Sequence, residues 1–516
     1  MLGVLNGGPI PAGWNETTIV LIPKVKKPEQ VKDLRPISLC NVLYKLVSKV
    51  LANRLKQIFP KVISPAQSAF VSGRLISDNI LVAYELTHCM RQKKKGKEGY
   101  AAVKLDMSKA YDRVEWSFLQ AMMAKLSFRK RWIELIMKCV SIVSYRIRVN
   151  GELSDSFNPE RGLRQGDPLS PYLFLLCAEG FSALLSQAEM EGRLKGVKVC
   201  QNAPSVSHLL FADDSLILFR ANRGDAQALQ GILDLYEECS GQVINKEKSA
   251  IMFSPNTKRD VKELVMSELC IVKETMNERY LGLPVFVGNN KCRAFAYLKE
   301  RIWTRIQGWK EKLLSRAGKE ILIKAVAQAI PTFAMGCFDI TKEICTQIST
   351  MICRYWWSNQ DKEKKMHWVR WDKLTEPKGE GGLGFRDIYT FNLAMLAKQS
   401  WRFMQNPDSL CARVLGAKYF PDGNILAAGV RRTMSYTWRS ILKGLEVLKR
   451  GVIWRVGDGR RIKIWDDPWI PREWSRRPIT PCSNNILTHV DELIDPSSGQ
   501  WDEQLVREIF WQQDVE

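Results

Sequence analysis

The chain has 516 residues, 45% of them apolar, and a formal net charge of +22. That length exceeds a single hydrophobic core and predicts two to four domains, and the apolar content is that of a folded protein and excludes a disordered one. So large a positive surplus predicts a polyanionic partner, nucleic acid ahead of an acidic membrane. Apolar runs fall short of the roughly 18 residues of a membrane span. The opening "MLGVLNGGPIPAGWN" lacks the basic flank and apolar core of a signal peptide. The 13 cysteines are scattered, with no CxxC. They read as reduced thiols of an intracellular protein, nuclear or cytoplasmic, without a zinc site; His367 follows Cys353, but two further ligands at zinc spacing are missing.

Along the chain, "TIVLI" (18–22) predicts a strand and "PKVKKPEQVKD" a basic loop. "NVLYKLVSKVLANRLKQIF" (41–59) carries apolar residues at helical spacing. "SDNILVAYELTHCMRQ" predicts a second helix capped by Ser77 or Asp78, and "KKKGKEG" a solvated link. "YAAVKLD" (100–106) predicts a strand ending in an acid. A helix is expected from about Asp112, which with Glu115 resembles a capping box. "GLRQGDPLSPYLFLLCAEGFSALL" (162–185) predicts a Gly-rich turn, Pro168 in a helical first turn, and a helix apolar on most sides, hence buried. A helix at 224–239 and a strand at 250–253 complete an α+β unit. Residues 293–330 read as basic amphipathic helices. Of 17 tryptophans, 12 lie after residue 350, which predicts a separate unit there.

"HLLFADDSLILF" (208–219) sets two carboxylates, Asp213 and Asp214, at the tip of an apolar hairpin, where Asn-Gly or Asp-Gly is usual. Asp106 ends another strand far away in sequence. Two strand-end carboxylates that meet in space suit a hard divalent cation, since Mg²⁺ takes one or two carboxylates plus substrate phosphates. Two such ions can serve phosphoryl transfer. A solvated turn is the bland alternative for the pair taken alone.

Seven blocks occur in order: "LIPKVKKP…DLRPISLCNVLYKLVSKVLANRL", "QSAFVSGRLISDNIL", "VKLDMSKAYDRVEWSFL", "RGLRQGDPLSPYLFLLCAE", "HLLFADDSLIL", "SGQVINKEKSAIMF" and "YLGLPV". Together they resemble the reverse transcriptase of plant LINE-type (non-LTR) retrotransposons. The likeness is strong over about residues 10–285 and looser through "WRVGDGRRIKIWDDPW". It implies an α+β right-hand polymerase: fingers at 1–99, palm at 100–285, helical thumb at 286–345 and a mostly helical, Trp-rich extension at 346–516. It implies an RNA-directed DNA polymerase using two Mg²⁺ ions, with Mn²⁺ as substitute, on an RNA template, a DNA primer and deoxynucleoside triphosphates, with no membrane partner.

Residue by residue, the resemblance implies Asp106, Asp213 and Asp214 as catalytic acids, with Asp213 the more direct metal ligand and the Met107 carbonyl a further one. Tyr111 matches the aromatic that excludes a ribose 2′-hydroxyl. Gln165 and Gly166 match the block that holds the incoming nucleotide. Lys24 and Arg35 match the triphosphate contacts, a point charge and a bidentate fork. Lys248 corresponds to the lysine near the leaving pyrophosphate, "YLGLP" (280–284) to the primer support, and Arg74 to a template contact. The family's upstream endonuclease and downstream Cys/His segment have no match, so a fragment of a larger element protein is expected. A catalytically idle RNA-binding remnant is the alternative of another class, and an RNA-templated RNA polymerase shares the same palm. In "YWWSNQDKEKKMHWVRW" (355–371) the aromatics serve either base stacking or, as favoured, the core of a small helical domain.

Overall fold

The computed structural model describes residues 1–275, 279–310, 314–357, 366–472, 474–482 and 485–515. Strands β1 (Glu16–Pro23) and β2 (Leu34–Cys40) form an antiparallel hairpin, with Ile22 opposite Arg35. Helix Val42–Val62 follows, started by Asn41, whose side chain accepts the Leu43 N–H. Helix Ile76–Gln92 leads to β3 (Gly99–Leu105) and, after Asp106, to the two-residue β4 (Met107–Ser108). Strands β5 (Ser144–Val149) and β6 (Glu152–Leu153) return to the first sheet, in the order β2-β1-β5-β6. Helix Ser170–Met190 precedes the hairpin of β7 (His208–Phe211) and β8 (Asp214–Ala221). Strands β9 (Val243–Ile244) and β10 (Ala250–Phe253) complete the central sheet region. The second sheet runs β10-β3-β8-β7, and β9 pairs with β4. A small hairpin, β11 (Arg279–Tyr280) and β12 (Leu283–Pro284), precedes a mostly helical remainder.

The central sheet is covered on both faces because its strands are apolar on both. Val103, Leu105, Ile217 and Phe219 pack with Phe181, Leu185 and Tyr236 of the two helices behind. Ala102, Leu216 and Leu218 pack on the other face against Leu81 and Leu86 of helix Ile76–Gln92. Helix Ser170–Met190 is the one described helix long and apolar enough to cross a membrane, which corrects the expectation that no run approaches that length. Here it serves as a core helix: Leu173, Leu176, Phe181 and Leu185 are all buried, each contributing about 1.5–3 kcal/mol of transfer free energy.

Three local expectations are corrected. Helix Trp116–Lys125 starts after Asp112, and no side chain caps it; the Asp112 carboxylate accepts from Gln165 Nε2 instead, at 3.3 Å. Helix Ile76–Gln92 starts one residue before Ser77, and Asp78 reaches back from its third position to the Leu75 N–H. Pro168 lies before its helix, and Pro171 occupies the first turn.

One apolar cluster runs from helix Ile76–Gln92 through Phe295, Ile302, Phe338, Trp356 and Trp438 to Leu445, across the boundaries expected at 285/286 and 345/346. Two ion pairs sit on this junction: Arg402 is bidentate to Asp78, and Lys418 meets the fully buried Glu85 at 2.6 Å. Amphipathic helices show an apolar face in sequence without showing what covers it. A second, small cluster gathers Ile462, Ile464, Val490, Leu493 and Phe510 near the C-terminus. The tryptophans divide: Trp356, Trp357 and Trp438 are core, whereas Trp368 is 77% exposed. Residues 358–365 of that stretch lie outside the described residues. All thirteen cysteines are free thiols. Cys353 Sγ and His367 Nδ1 do approach, at 3.8 Å, but no third metal-type ligand joins them among the described residues.

Candidate active site

Register brings the acids together. Lys104 pairs with Leu216 and Leu105 with Ser215, so the next step sets Asp106 across from Asp214, with Asp213 beside it in the turn. Because side chains alternate along a strand, Lys104, Asp106, Asp214 and Leu216 share one face. Asp213 is exposed, and Asp106 and Asp214 are half-buried. The turn's central residues are Ala212 and Asp213, and only Ala212 has a positive φ, +54°. That is the pattern of a type II′ turn, where glycine is usual; an alanine there costs roughly 1–2 kcal/mol.

The carboxylates feel one another. Burial raises the Asp214 carboxyl, Asp213 and Asp106 raise it further, and the Lys104 ammonium opposes them. Burial and the Asp213 charge push the Tyr111 hydroxyl up to about 12. Its ring stacks on Phe174, centroids 5.0 Å apart and planes 12° apart. The Asp106 carbonyl accepts from Asn245 N at 2.8 Å, and its N–H donates to Ser249 Oγ at 3.1 Å. This ties the loop bearing the exposed Lys248 beside Asp106. In an antiparallel ladder hydrogen-bonded pairs alternate, so the Asp106–Asn245 bond leaves the Met107 carbonyl outside the β4–β9 ladder.

An all-oxygen donor set of this kind fits a hard divalent cation. Asp106, Asp213, Asp214 and the Met107 carbonyl are the candidate ligands, and the mutual destabilisation at Asp214 is what a bound cation would relieve. Among the described residues no three acidic, His or Cys side chains are gathered tightly enough to hold an ion alone.

The remaining site residues divide between two surfaces. Lys24 and Arg35 share one face of the β1–β2 hairpin, since Arg35 lies opposite Ile22 and Lys24 is two positions on. Lys24 Nζ donates to the Lys32 carbonyl at 2.9 Å. Burial raises the Asp112 carboxyl, while the Gln165 hydrogen bond, Lys109 and Lys24 lower it; the first hairpin therefore faces the Gln165 turn. The Gln165 carbonyl accepts from Ser38 N at 2.8 Å. Gly166 has φ +114°, and a Cβ there would stand 3.0 Å from the Ser38 carbonyl oxygen, so its close approach is to β2. Next to them Arg164 and Asp167 form a buried ion pair at 2.9 Å. Arg74 corrects a further expectation: its guanidinium turns inward to the carbonyls of Ile63, Ser64 and Gln67, bracing a loop.

Behind the hairpin a polar chain links Glu179 to Ser64 N (3.0 Å), Ser64 Oγ to Ser182 Oγ (2.7 Å) and Ser182 Oγ to His208 Nε2 (2.8 Å). Burial pushes Glu179 up to about 7, against the Ser64 N–H and Arg74, and pushes His208 down to about 4. A carboxyl raised by folding binds its proton more tightly in the native state, so its ionisation costs stability as pH rises from about 4.5 to about 7. Glu179→Gln is therefore expected to gain up to about 3 kcal/mol relative to the parent between pH 5 and pH 8. Urea denaturation of both proteins at the two pH values checks this; a pH-independent difference would contradict it.

Residues 22–285 match the reverse transcriptase (RNA-dependent DNA polymerase) family. The chain belongs to that family, it is of the non-LTR type, and its fold is the right-hand polymerase fold. It is 28% identical over 398 residues to an uncharacterized 149 kDa protein of transposon TX1 from Xenopus laevis, covering 76% of this chain and 29% of that protein. It is 28% identical over 284 residues to a Pol polyprotein from the type-2 retrotransposable element R2DM of Drosophila melanogaster, 54% of this chain and 26% of that one. An uncharacterized mitochondrial protein of Arabidopsis thaliana is 41% identical over 152 residues, 29% of this chain and 99% of that protein. A telomerase from Candida tropicalis, solved with a fragment of telomeric RNA, superposes with a TM-score of 0.40 at 14% identity, covering 85% of this chain and 65% of that one. The chain thus spans less than a third of the length of both transposable-element relatives.

The sequence reading missed three features of the site: the bond from Asp112 to Gln165, Lys104 beside the acids, and Gln67 beneath the turn. Only Lys104 left a trace in the sequence, as a cation two positions before Asp106 in a strand.

Proposed function

We propose that the chain is an RNA-directed DNA polymerase of a LINE-type retroelement, extending a DNA primer on an RNA template. One observation carries this: acids far apart in sequence share one end of the central sheet, close enough that Asp213 and Asp106 both raise the Asp214 carboxyl. The primer 3′-hydroxyl oxygen bonds to the α-phosphorus, the α–β bridging P–O bond breaks, pyrophosphate leaves with the electron pair, and the proton goes to water. Two divalent cations, Mg²⁺ or Mn²⁺, held by Asp106, Asp213 and the Met107 carbonyl, would neutralise charge on the attacking and leaving oxygens. Lys24 and Arg35 hold the triphosphate, Lys248 meets the pyrophosphate, and Gln165 and Gly166 position the nucleotide. The β11–β12 hairpin supports the primer end; its Tyr280 is buried, with its hydroxyl against Asn79 and the Leu209 carbonyl.

Primer extension by the purified chain, with and without Mg²⁺ and with deoxy- against ribonucleotides, tests the reading. Mg²⁺-dependent incorporation of deoxynucleotides is expected. Tight RNA binding without extension would establish the idle remnant instead, and a preference for ribonucleotides the RNA polymerase.

Tyr111→Ala is expected to relax sugar discrimination by about 10-fold or more, the scale of one missing group in a pocket. Its ring is half-buried, stacked on Phe174, so the stability loss should stay below the roughly 3–5 kcal/mol of a core aromatic. Incorporation ratios measured beside thermal melts check both. A folded variant with unchanged discrimination would remove Tyr111 from this role.

A further inference from the structure

We propose that Gln67 is the positioning residue of the acidic turn: its side-chain oxygen holds Ala212 in the left-handed conformation that aims Asp213. The inference deepens the polymerase reading and rests on it for its kinetic consequence.

Gln67 lies on the segment between helices Val42–Val62 and Ile76–Gln92 and is 1% exposed. That segment runs alongside β7 as a short parallel bridge: Leu210 N donates to the Ala66 carbonyl at 2.8 Å, and Ser68 N to the Leu210 carbonyl at 3.2 Å. Asn79 Nδ2 also donates to the Leu210 carbonyl, at 2.8 Å. Arg74 fixes the segment from behind, through the carbonyls of Ile63, Ser64 and Gln67. The platform beneath the turn is thus built before Gln67 acts on it.

Two backbone N–H groups converge on Gln67 Oε1, those of Ala69 at 2.9 Å and Ala212 at 3.1 Å. Ala212 has φ +54°, a conformation that alanine does not prefer and glycine takes freely. The next residue is Asp213. If Ala212 relaxed to a negative φ, the chain would redirect the Asp213 carboxylate, and a misplacement of about 1 Å near reacting atoms costs on the order of 10²-fold in rate. The amide nitrogen of Gln67 is buried without a partner among the described residues, so the acceptor oxygen is the part of the side chain that works on the turn.

Gln67→Met keeps the length of the side chain and removes the acceptor. It is expected to lower kcat by about 10²-fold, to leave the KM for the nucleotide and the Kd for primer–template within about twofold, and to weaken Mn²⁺ binding followed by electron paramagnetic resonance. Adding Ala212→Gly should restore most of kcat and of the Mn²⁺ affinity, because glycine holds the positive φ without help. A packing role would not be rescued in this way. Unchanged kcat and Mn²⁺ affinity in Gln67→Met, or no recovery in the double variant, would overturn the proposal. Should Gln67→Met not fold, Gln67→Glu decides: it keeps an oxygen at the same reach, so kcat near the parent value supports the proposal and a loss of about 10²-fold overturns it. If the parent chain extends no primer, the Mn²⁺ titration still reads the turn. Affinity lost in Gln67→Met and regained in the double variant would then support Gln67 while overturning the polymerase reading.

Discussion

Asp213→Asn is expected to lower kcat for primer extension by about 10³-fold, roughly 4 kcal/mol of lost transition-state stabilisation at 1.36 kcal/mol per tenfold. The carboxylate at the tip of the β7–β8 hairpin is one of the groups that would hold the ions neutralising the reacting oxygens, and an amide carries no charge. Folding should move the other way. Asp213 now raises the Asp214 carboxyl, so removing its charge relieves repulsion in the metal-free protein, and the variant should melt no lower than the parent. Asp106→Asn should behave alike, since Asp106 acts on Asp214 with the same sign. Single-turnover extension at saturating Mg²⁺, beside thermal melts and primer–template binding, checks the claim. Retained kcat would take Asp213 out of the chemistry. A loss matched by unfolding would make it structural.

Asp167→Ala is expected to destabilise the protein by about 3–5 kcal/mol, the cost of leaving a buried charge without its partner. Asp167 and Arg164 are 3% and 4% exposed and meet at 2.9 Å. The carboxylate also accepts from the Tyr44 hydroxyl at 2.7 Å and from the Leu169 N–H at 2.9 Å. Arg164 bonds Asn15 of the segment entering β1 and the Cys139 carbonyl of helix Lys130–Ser141, and lies over the Tyr44 ring, 4.0 Å from its centroid. The pair thus fastens the first sheet and two helices to the turn that carries Gln165 and Gly166. Replacing both partners with leucine should cost less than Asp167→Ala alone, because neither charge then remains buried. Urea denaturation of the single and double variants tests this; a double variant as unstable as the summed singles would contradict it.

Much of this molecule is legible in its sequence. Strands 16–23, 99–105 and 250–253, helix 223–240 and the 208–221 hairpin stand where periodicity and apolar runs put them, because those signals are local. Caps were less legible. Asp112 and Glu115 have the spacing of a capping box, yet Asp112 turns to Gln165 across the fold, and a carboxylate half out of water takes whichever donor the fold brings to it. Arg74 matches a template contact in the resemblance, but three backbone carbonyls of a nearby loop claim its donors.

By itself, the sequence determined the family, the strand ends that carry Asp106, Asp213 and Asp214, and a charge balance suited to a polyanion. Each rests on residue type and short-range order, which no later contact changes. Only the tertiary structure decided that Asp106 and Asp214 share one face and that the three acids act on one another, that Arg164 and Asp167 are a buried pair, that helix Ile76–Gln92 shares one core with helices of the second half of the chain, and that Gln67 lies under the turn. The physical reason is common to all four. Register, burial and the direction of a hydrogen bond belong to pairs of distant groups, and a sequence names the members of such pairs without pairing them.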